Sequence, residues 1–342
     1  MDVWKKAIYS SPTTKVINFY ETTKSFFKFN ITLTLRAILV KKVLKLKFCL
    51  VISHIIITFA LVINKQRFLN MEKFNYTRTL RELGIAYLGK HSQSMKMRLS
   101  EENGTVTYCL YLAPWNLSGY QVCPGGVHCH KFCLNGSGHN KSDILARGVE
   151  LSKINQARAK RTRLFYENKN LFMQLLIHEI KKTQNYAIKH NMGFSVRLNG
   201  TSDLSPEAFV YRGKNILEWF PNVIFYDYTK VPNRFKLVDK YANYYLVFSY
   251  DGYNGAACRE ALAKGINVAV VFSNQEMLPM KFAGYPVCDG NLFDMRYLDP
   301  AGHVVGLHYH VTAANYDKQG NYISPDDDFV IGDDNPLVEW YA

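Results

Sequence analysis

The first seventy residues contain no glycine and only two acidic side chains, against twelve lysines and arginines. The remaining 272 residues hold 30 basic and 26 acidic side chains, so most of the net charge of +14 sits in the N-terminal segment. A body this close to neutral does not indicate nucleic acid as a partner. Several signatures are missing. No Gly-x-Gly-x-x-Gly follows an apolar run, and there is no Walker loop, His-Glu-x-x-His or Gly-x-Ser-x-Gly. Nicotinamide, ATP-hydrolysing, zincin and serine-hydrolase chemistries therefore lack their anchors. The cysteines (Cys49, Cys109, Cys123, Cys129, Cys133, Cys258 and Cys288) are odd in number and three are clustered. A secreted disulfide framework would show an even count and wider spacing, so a reducing, cytoplasmic setting is expected.

The stretch Cys123-Pro-Gly-Gly-Val-His-Cys129-His-Lys-Phe-Cys133 stands out against this background. Gly125 and Gly126 let the backbone fold back, and three thiolates within eleven residues can converge on one soft metal centre. Three Cys ligands suit a [4Fe–4S] cluster with one iron left open. With His128 or His130 added they suit structural zinc, in a module that would contact nucleic acid or protein. A loop of inert thiols is the third alternative.

Residues 48–64 carry no formal charge and are flanked by Lys41, Lys42, Lys45 and Lys47 on one side and Lys65 and Arg67 on the other. As a helix this stretch would span about 25 Å, slightly less than a hydrocarbon core of about 30 Å. Residues 1–70 thus form a basic, hydrophobic extension with three readings. It is a single-pass membrane anchor over 48–64, a basic amphipathic or buried segment, or a stretch upstream of a true start at Met71. The last is preferred, because a charged helix over 72–89 would open a domain at once.

Residues 71–342 read as one α/β domain, undivided by any low-complexity linker. Candidate strands lie at 105–112, 194–198, 223–226, 246–248 and 268–272, with shorter ones near 286–288 and 304–307. Candidate helices lie at 143–163, 170–190, 206–219, 234–241 and 255–264. Short apolar strands alternating with helices predict a parallel sheet with helical crossovers. Each strand ends in polar residues: Arg197-Leu-Asn-Gly-Thr-Ser-Asp203, Tyr226-Asp-Tyr-Thr-Lys230, Ser249-Tyr-Asp-Gly-Tyr-Asn254. Ligands of parallel α/β folds sit at carboxyl ends of strands, so a shared site is expected there. Arg197, Asp227, Lys230 and Asp251 are the candidates to position a substrate. Cys109, Cys258 and Cys288 lie on apolar stretches and read as packed thiols, and His308 and His310 read as structural.

Taken together, Leu112-Ala-Pro-Trp-Asn-Leu-Ser-Gly119, the cysteine loop, Cys133-Leu-Asn135, Arg197–Asp203, Phe225-Tyr-Asp-Tyr-Thr-Lys230 and Asn267-Val-Ala-Val-Val-Phe272 resemble the phage "gene product 88" domain. The likeness covers 111–331 and brings no assigned activity. More distantly the chain is similar to radical S-adenosylmethionine enzymes. That resemblance implies a partial or complete (β/α) barrel and a [4Fe–4S] cluster on Cys123, Cys129 and Cys133. It also implies S-adenosylmethionine near Asn199, Ser202 and Asp203, an electron donor, and a substrate the sequence does not identify. The spacing here is Cys-x5-Cys-x3-Cys, whereas that superfamily uses Cys-x3-Cys-x2-Cys.

Overall fold

The computed structural model describes residues 74–340 except 131, 148–150 and 326–327, together with Lys45, Phe48, Ile52 and Ser53. Most of 48–64 therefore lies outside the described residues. Among those described, no helix is long and apolar enough to cross a membrane. Asn75–Ala342 forms one compact unit.

Helix starts leave backbone N–H groups unpaired, and side-chain oxygens fill that need at several of them. Asn75 caps α1 (Tyr76–Leu83), Ser94 caps α2 (Met95–Glu102), Ser152 caps α4 (Lys153–Glu167) and Asn168 caps α5 (Lys169–Lys189). Gly84, left-handed at φ 61°, stops α1 well short of the expected residue 89. The helix expected at 143–163 is two helices, α3 (Gly138–Arg147) and α4, the second begun by its own cap.

The expectation for 206–219 needs a larger correction. The stretch is not one helix. It holds a hairpin of β4 (Val210–Tyr211) and β5 (Lys214–Asn215), then the single-turn helix α6 (Ile216–Trp219). Arg212 and Gly213 both have positive φ, 50° and 75°, which reverses the chain in two residues.

Seven strands run parallel: β2 (Thr105–Leu110), β3 (Gly193–Arg197), β6 (Ile224–Thr229), β7 (Tyr244–Ser249), β8 (Asn267–Phe272), β11 (Val304–His308) and β10 (Tyr285–Asp289), in that spatial order. From β2 to β8 neighbours follow chain order without reversal, as in the winding of a β/α barrel and unlike a doubly wound sheet. Helices α7 (Lys236–Lys240) and α8 (Gly255–Ala263) connect β6 to β7 and β7 to β8. Among the described residues the sheet stays open. β1 (Gly89–Lys90) pairs antiparallel along β2, while β9 (Lys281–Phe282) and β13 (Val338–Glu339) extend the far edge beyond β10. The expected parallel α/β sheet is present, and among the described residues it does not close into a barrel. A further short strand, β12 (Val330–Ile331), pairs with the end of β8.

Both faces of this sheet are covered, which is why β8 reads as the continuous run Asn-Val-Ala-Val-Val-Phe. On one face Tyr108 reaches the Glu179 carboxylate of α5, 2.6 Å away, which also accepts from Tyr76 Oη, Leu88 N and Gly89 N. On the other face Val247, Ala269 and Val305 pack together, with Tyr228, Cys288 and Leu307 against them. The connection from β10 to β11 lies along this second face. Asp294 accepts from Arg197 and Tyr226, and its backbone N–H donates to Ser100 of α2. Lys96 of α2 donates to the Gly290 carbonyl at 2.7 Å.

Candidate functional site

The chain leaves β2 at its carboxyl end and enters the cysteine loop, whose stem is bolted to the next strand end. Thr201 Oγ1 donates to the Leu112 carbonyl at 2.6 Å, and Asp203 N donates to the Val122 carbonyl at 2.8 Å. Gly125 then crosses the end of β6 so closely that a Cβ there would stand 2.8 Å from the Lys230 carbonyl oxygen. Only glycine permits that approach. A Cβ on Gly126 would meet the Cβ of Cys123 at 3.2 Å and the Sγ of Cys129 at 3.5 Å, so these two cysteines flank one glycine.

Backbone N–H groups point at two of the sulfurs. Trp115 N donates to Cys123 Sγ at 3.3 Å and Asn135 N to Cys133 Sγ at 3.5 Å. Trp115 does so from a left-handed conformation at φ 53°, a strained state for a residue with a side chain. Its indole stacks on His130, with ring centroids 4.9 Å apart. Burial pushes the Cys123 thiol up to about 12, and Cys133 and Cys129 push it the same way. Burial also raises Cys129 and Cys133; Lys230 pulls both down, and Arg158 pulls Cys133 down. The three thiols thus share one neighbourhood and act on one another. Among the described residues no three His, Cys, Asp or Glu side chains are gathered closely enough to hold a metal as they stand.

The residues expected near a cofactor are hydrogen-bonded among themselves and to the neighbouring strand end. Asn199 Oδ1 accepts from Ser202 Oγ and Leu204 N, while its Nδ2 donates to Leu204 O and Asp227 Oδ2. Asp203 accepts from Thr229 Oγ1, Lys230 N and Arg234. Asp227, 1% exposed, accepts from Asn199 N and Arg234, and burial raises its carboxyl while Arg234 lowers it. These groups brace the ends of β3 and β6 against each other. Arg197 is spent on Asp294, on the opposite side of the sheet from Asp227.

Two candidates remain beside the cysteines. Lys230 has its backbone fixed by Asp203, and its ammonium lies over the Phe329 ring, 5.8 Å from the centroid. Asp251 is buried, accepts from Tyr253 N and Asn254 N, and raises the Cys129 thiol. Cys109 and Cys258 are buried thiols, both raised to about 12 by burial. His128 stacks on Tyr253, so both loop histidines lie against aromatic rings.

Sequence reasoning missed Arg158 and the roles of Trp115 and Asn135. Arg158 sits half-buried on α4, bonded to the Asn135 side-chain oxygen and lying over the Tyr111 ring at 5.1 Å. Its one visible signal is a charge on a buried helical face, three residues after Asn155 and four before Thr162.

No curated protein and no solved structure matches this chain. A family model described as Gene product 88 matches residues 81–320, a span that includes the cysteine loop, the strand ends around it and all seven parallel strands. The chain belongs to the Gene product 88 family.

Proposed function

We propose that Cys123, Cys129 and Cys133 hold a [4Fe–4S] cluster with one iron left to an outside ligand, and that the chain is an iron–sulfur enzyme. The carrying observation is the loop itself. It brings three half-buried thiols into one neighbourhood at the carboxyl ends of parallel strands and aims backbone N–H groups at two of them. In kind the donors suit a soft metal centre: three sulfur ligands, two of them accepting backbone N–H groups that favour thiolate, although the three are not gathered to ligand spacing as they stand. A bound cluster supplies one-electron chemistry and an open iron.

The surrounding residues have definable tasks. Trp115 and Asn135 stabilise charge on Cys123 and Cys133, while Gly125 seats the loop on β6. Lys230 and Asp251 both act on the Cys129 thiol and are the groups that would orient a substrate at the rim. S-adenosylmethionine finds less support, because the polar atoms of Asn199, Ser202 and Asp203 are engaged within the protein. Zinc as Cys3His is disfavoured by the stacking of both loop histidines on aromatic rings.

The test is iron, sulfide and zinc content of the full chain purified without oxygen. About four iron and four sulfide per chain are expected. Single Ala replacements at Cys123, Cys129 and Cys133 should each lower iron, whereas Cys258→Ala should retain it. About one zinc without iron would replace this reading with the zinc module. Absence of metal after reconstitution would remove it.

A further inference from the structure

An amine is a nucleophile only after it has shed its proton, and burial, a neighbouring cation and a helix N-terminus all favour the neutral form. Lys96 meets all three conditions. It is half-buried and is the second residue of α2, in the turn that Ser94 caps. Its Nζ donates to the Gly290 carbonyl at 2.7 Å and lies 3.5 Å from Asn291 Oδ1, both neutral acceptors. Arg197 and Arg296 are paired with Asp294 and Asp299, whereas among the described residues Lys96 has no ion pair. The neighbouring cation is Arg296. A Cβ on Gly290 would meet Arg296 Nη1 at 2.7 Å, so the guanidinium borders the same glycine whose carbonyl takes the amine. Arg296 has a wholly buried side chain, and its Nε and Nη1 have no hydrogen-bond partner among the described residues.

The amine is also placed where a ligand would arrive. Asp289 ends β10 and His308 ends β11, and Gly290 and Asn291 follow β10 directly. Lys96 therefore stands at the carboxyl ends of two parallel strands, the rim at which α/β folds bind ligands. Asn291 is fixed there, its Oδ1 accepting from His308 N at 3.1 Å and its Nδ2 donating to Asp289 Oδ1 at 2.8 Å.

We infer that Lys96 is a nucleophilic amine that condenses with a small carbonyl acid, forming an imine at the carbonyl carbon while the acid group is drawn to the Arg296 guanidinium. In that step a C=N bond replaces C=O, and the two hydrogens of the neutral amine leave with the carbonyl oxygen as water. The inference goes beyond the iron–sulfur reading, uses none of the cysteines and stands or falls without them. The charges around the amine agree with it. Burial lowers Lys96 to about 8, with Arg296 and Arg197 acting the same way against Asp294 and Asp289. Lys96 acts in turn on Asp299 and His310, lowering both.

The experiment is reductive trapping on the full chain with glyoxylate and cyanoborohydride at pH 7, followed by proteolysis and peptide mass spectrometry to rank the modified lysines. Hydride from the cyanoborohydride turns each imine into a stable secondary amine. An amine of pKa 8 is about one-tenth neutral at pH 7, an ordinary lysine amine less than about one part in a thousand. Lys96 should therefore be modified at least about tenfold faster than the exposed Lys189 and Lys214, and its lead should shrink as pH rises towards 10. Acetaldehyde, which has no acid group, should give Lys96 a smaller lead than glyoxylate does. The reading comes from the wild-type chain, so no variant has to fold. Modification of Lys96 no faster than that of the exposed lysines overturns the inference. An equal lead with acetaldehyde overturns the assignment of a carbonyl acid. Iron content bears on neither result, so the iron–sulfur reading is judged separately.

Discussion

The clearest pH signature in the fold is Asp299. Its side chain is 4% exposed and its Oδ2 lies 3.2 Å from Arg296 Nη1, yet neither atom has a hydrogen-bond partner. The contact therefore supplies attraction without the aligned bond that would offset desolvation. Burial wins, and the carboxyl rises from 3.8 to about 6 although Arg296 pulls it down. A carboxyl raised on folding binds its proton more tightly in the native state. Its favourable contribution is full below about pH 4 and is lost as pH rises through about 6. The gap between the two values is worth about 3 kcal/mol. Asp299→Asn cannot titrate, and the unpaired Arg296 it leaves stays charged throughout, so that cost is a constant offset. Urea unfolding of both proteins from pH 4 to 7 tests this. Wild type should gain about 2 kcal/mol on the variant as pH falls from 7 to 4, most of that gap. Lys96, lowered to about 8 by burial, titrates above this window. A difference that stays constant across the range would refute the argument.

Two further substitutions probe separate parts of the chain. Gly125→Ala drives a Cβ to 2.8 Å from a backbone oxygen that cannot step aside. An overpacking cost of about 1–3 kcal/mol lowers Tm by about 2–10 °C and reduces iron loading; unchanged loading would detach the Gly125 contact from the site. Glu179→Gln replaces one acceptor oxygen with an NH2 donor that faces other donors, whichever way the amide turns, and should cost about 2–4 kcal/mol in urea unfolding. Iron content should not change, because Glu179 ties α5 to the β1–β2 edge and not to the cysteines.

The parallel sheet was legible because its strands are short apolar runs, and covered faces demand that pattern. Thr105 and Val304 begin β2 and β11 where expected, and β8 and β3 start within one residue of expectation. Residues 206–219 were not legible as a hairpin. Ile216, Leu217 and Trp219 have helical spacing, and the decisive turn rests on Arg212, a residue type that rarely adopts positive φ. The cysteine loop was visible because glycine and thiol chemistry are written in adjacent residues. Arg158 was not, because what relates it to Cys133 is the docking of α4 on the loop rather than any spacing along the chain.

The polar strand ends show what residue type alone does not tell, namely which polar groups already have partners. Asn199, Ser202, Asp203 and Asp227 are the kinds of residue that bind cofactors, and they occupy the expected rim. Each has its partners inside the protein. A ligand taking one of these atoms would have to break a buried hydrogen bond and leave its donor or acceptor unpaired, at about 1–3 kcal/mol each. The chain spends these groups on holding β3 to β6, which in turn fixes the backbone of Lys230 through Asp203. The groups left without a charged partner there are three half-buried thiols, an ammonium on a ring face, and a guanidinium without a carboxylate. A site is found where polar groups are positioned but unsatisfied, because only there does a ligand gain contacts without displacing any. By that criterion the satisfied rim is the scaffold, and Cys123, Cys129, Cys133, Arg158 and Lys230 are the groups left to the proposed site.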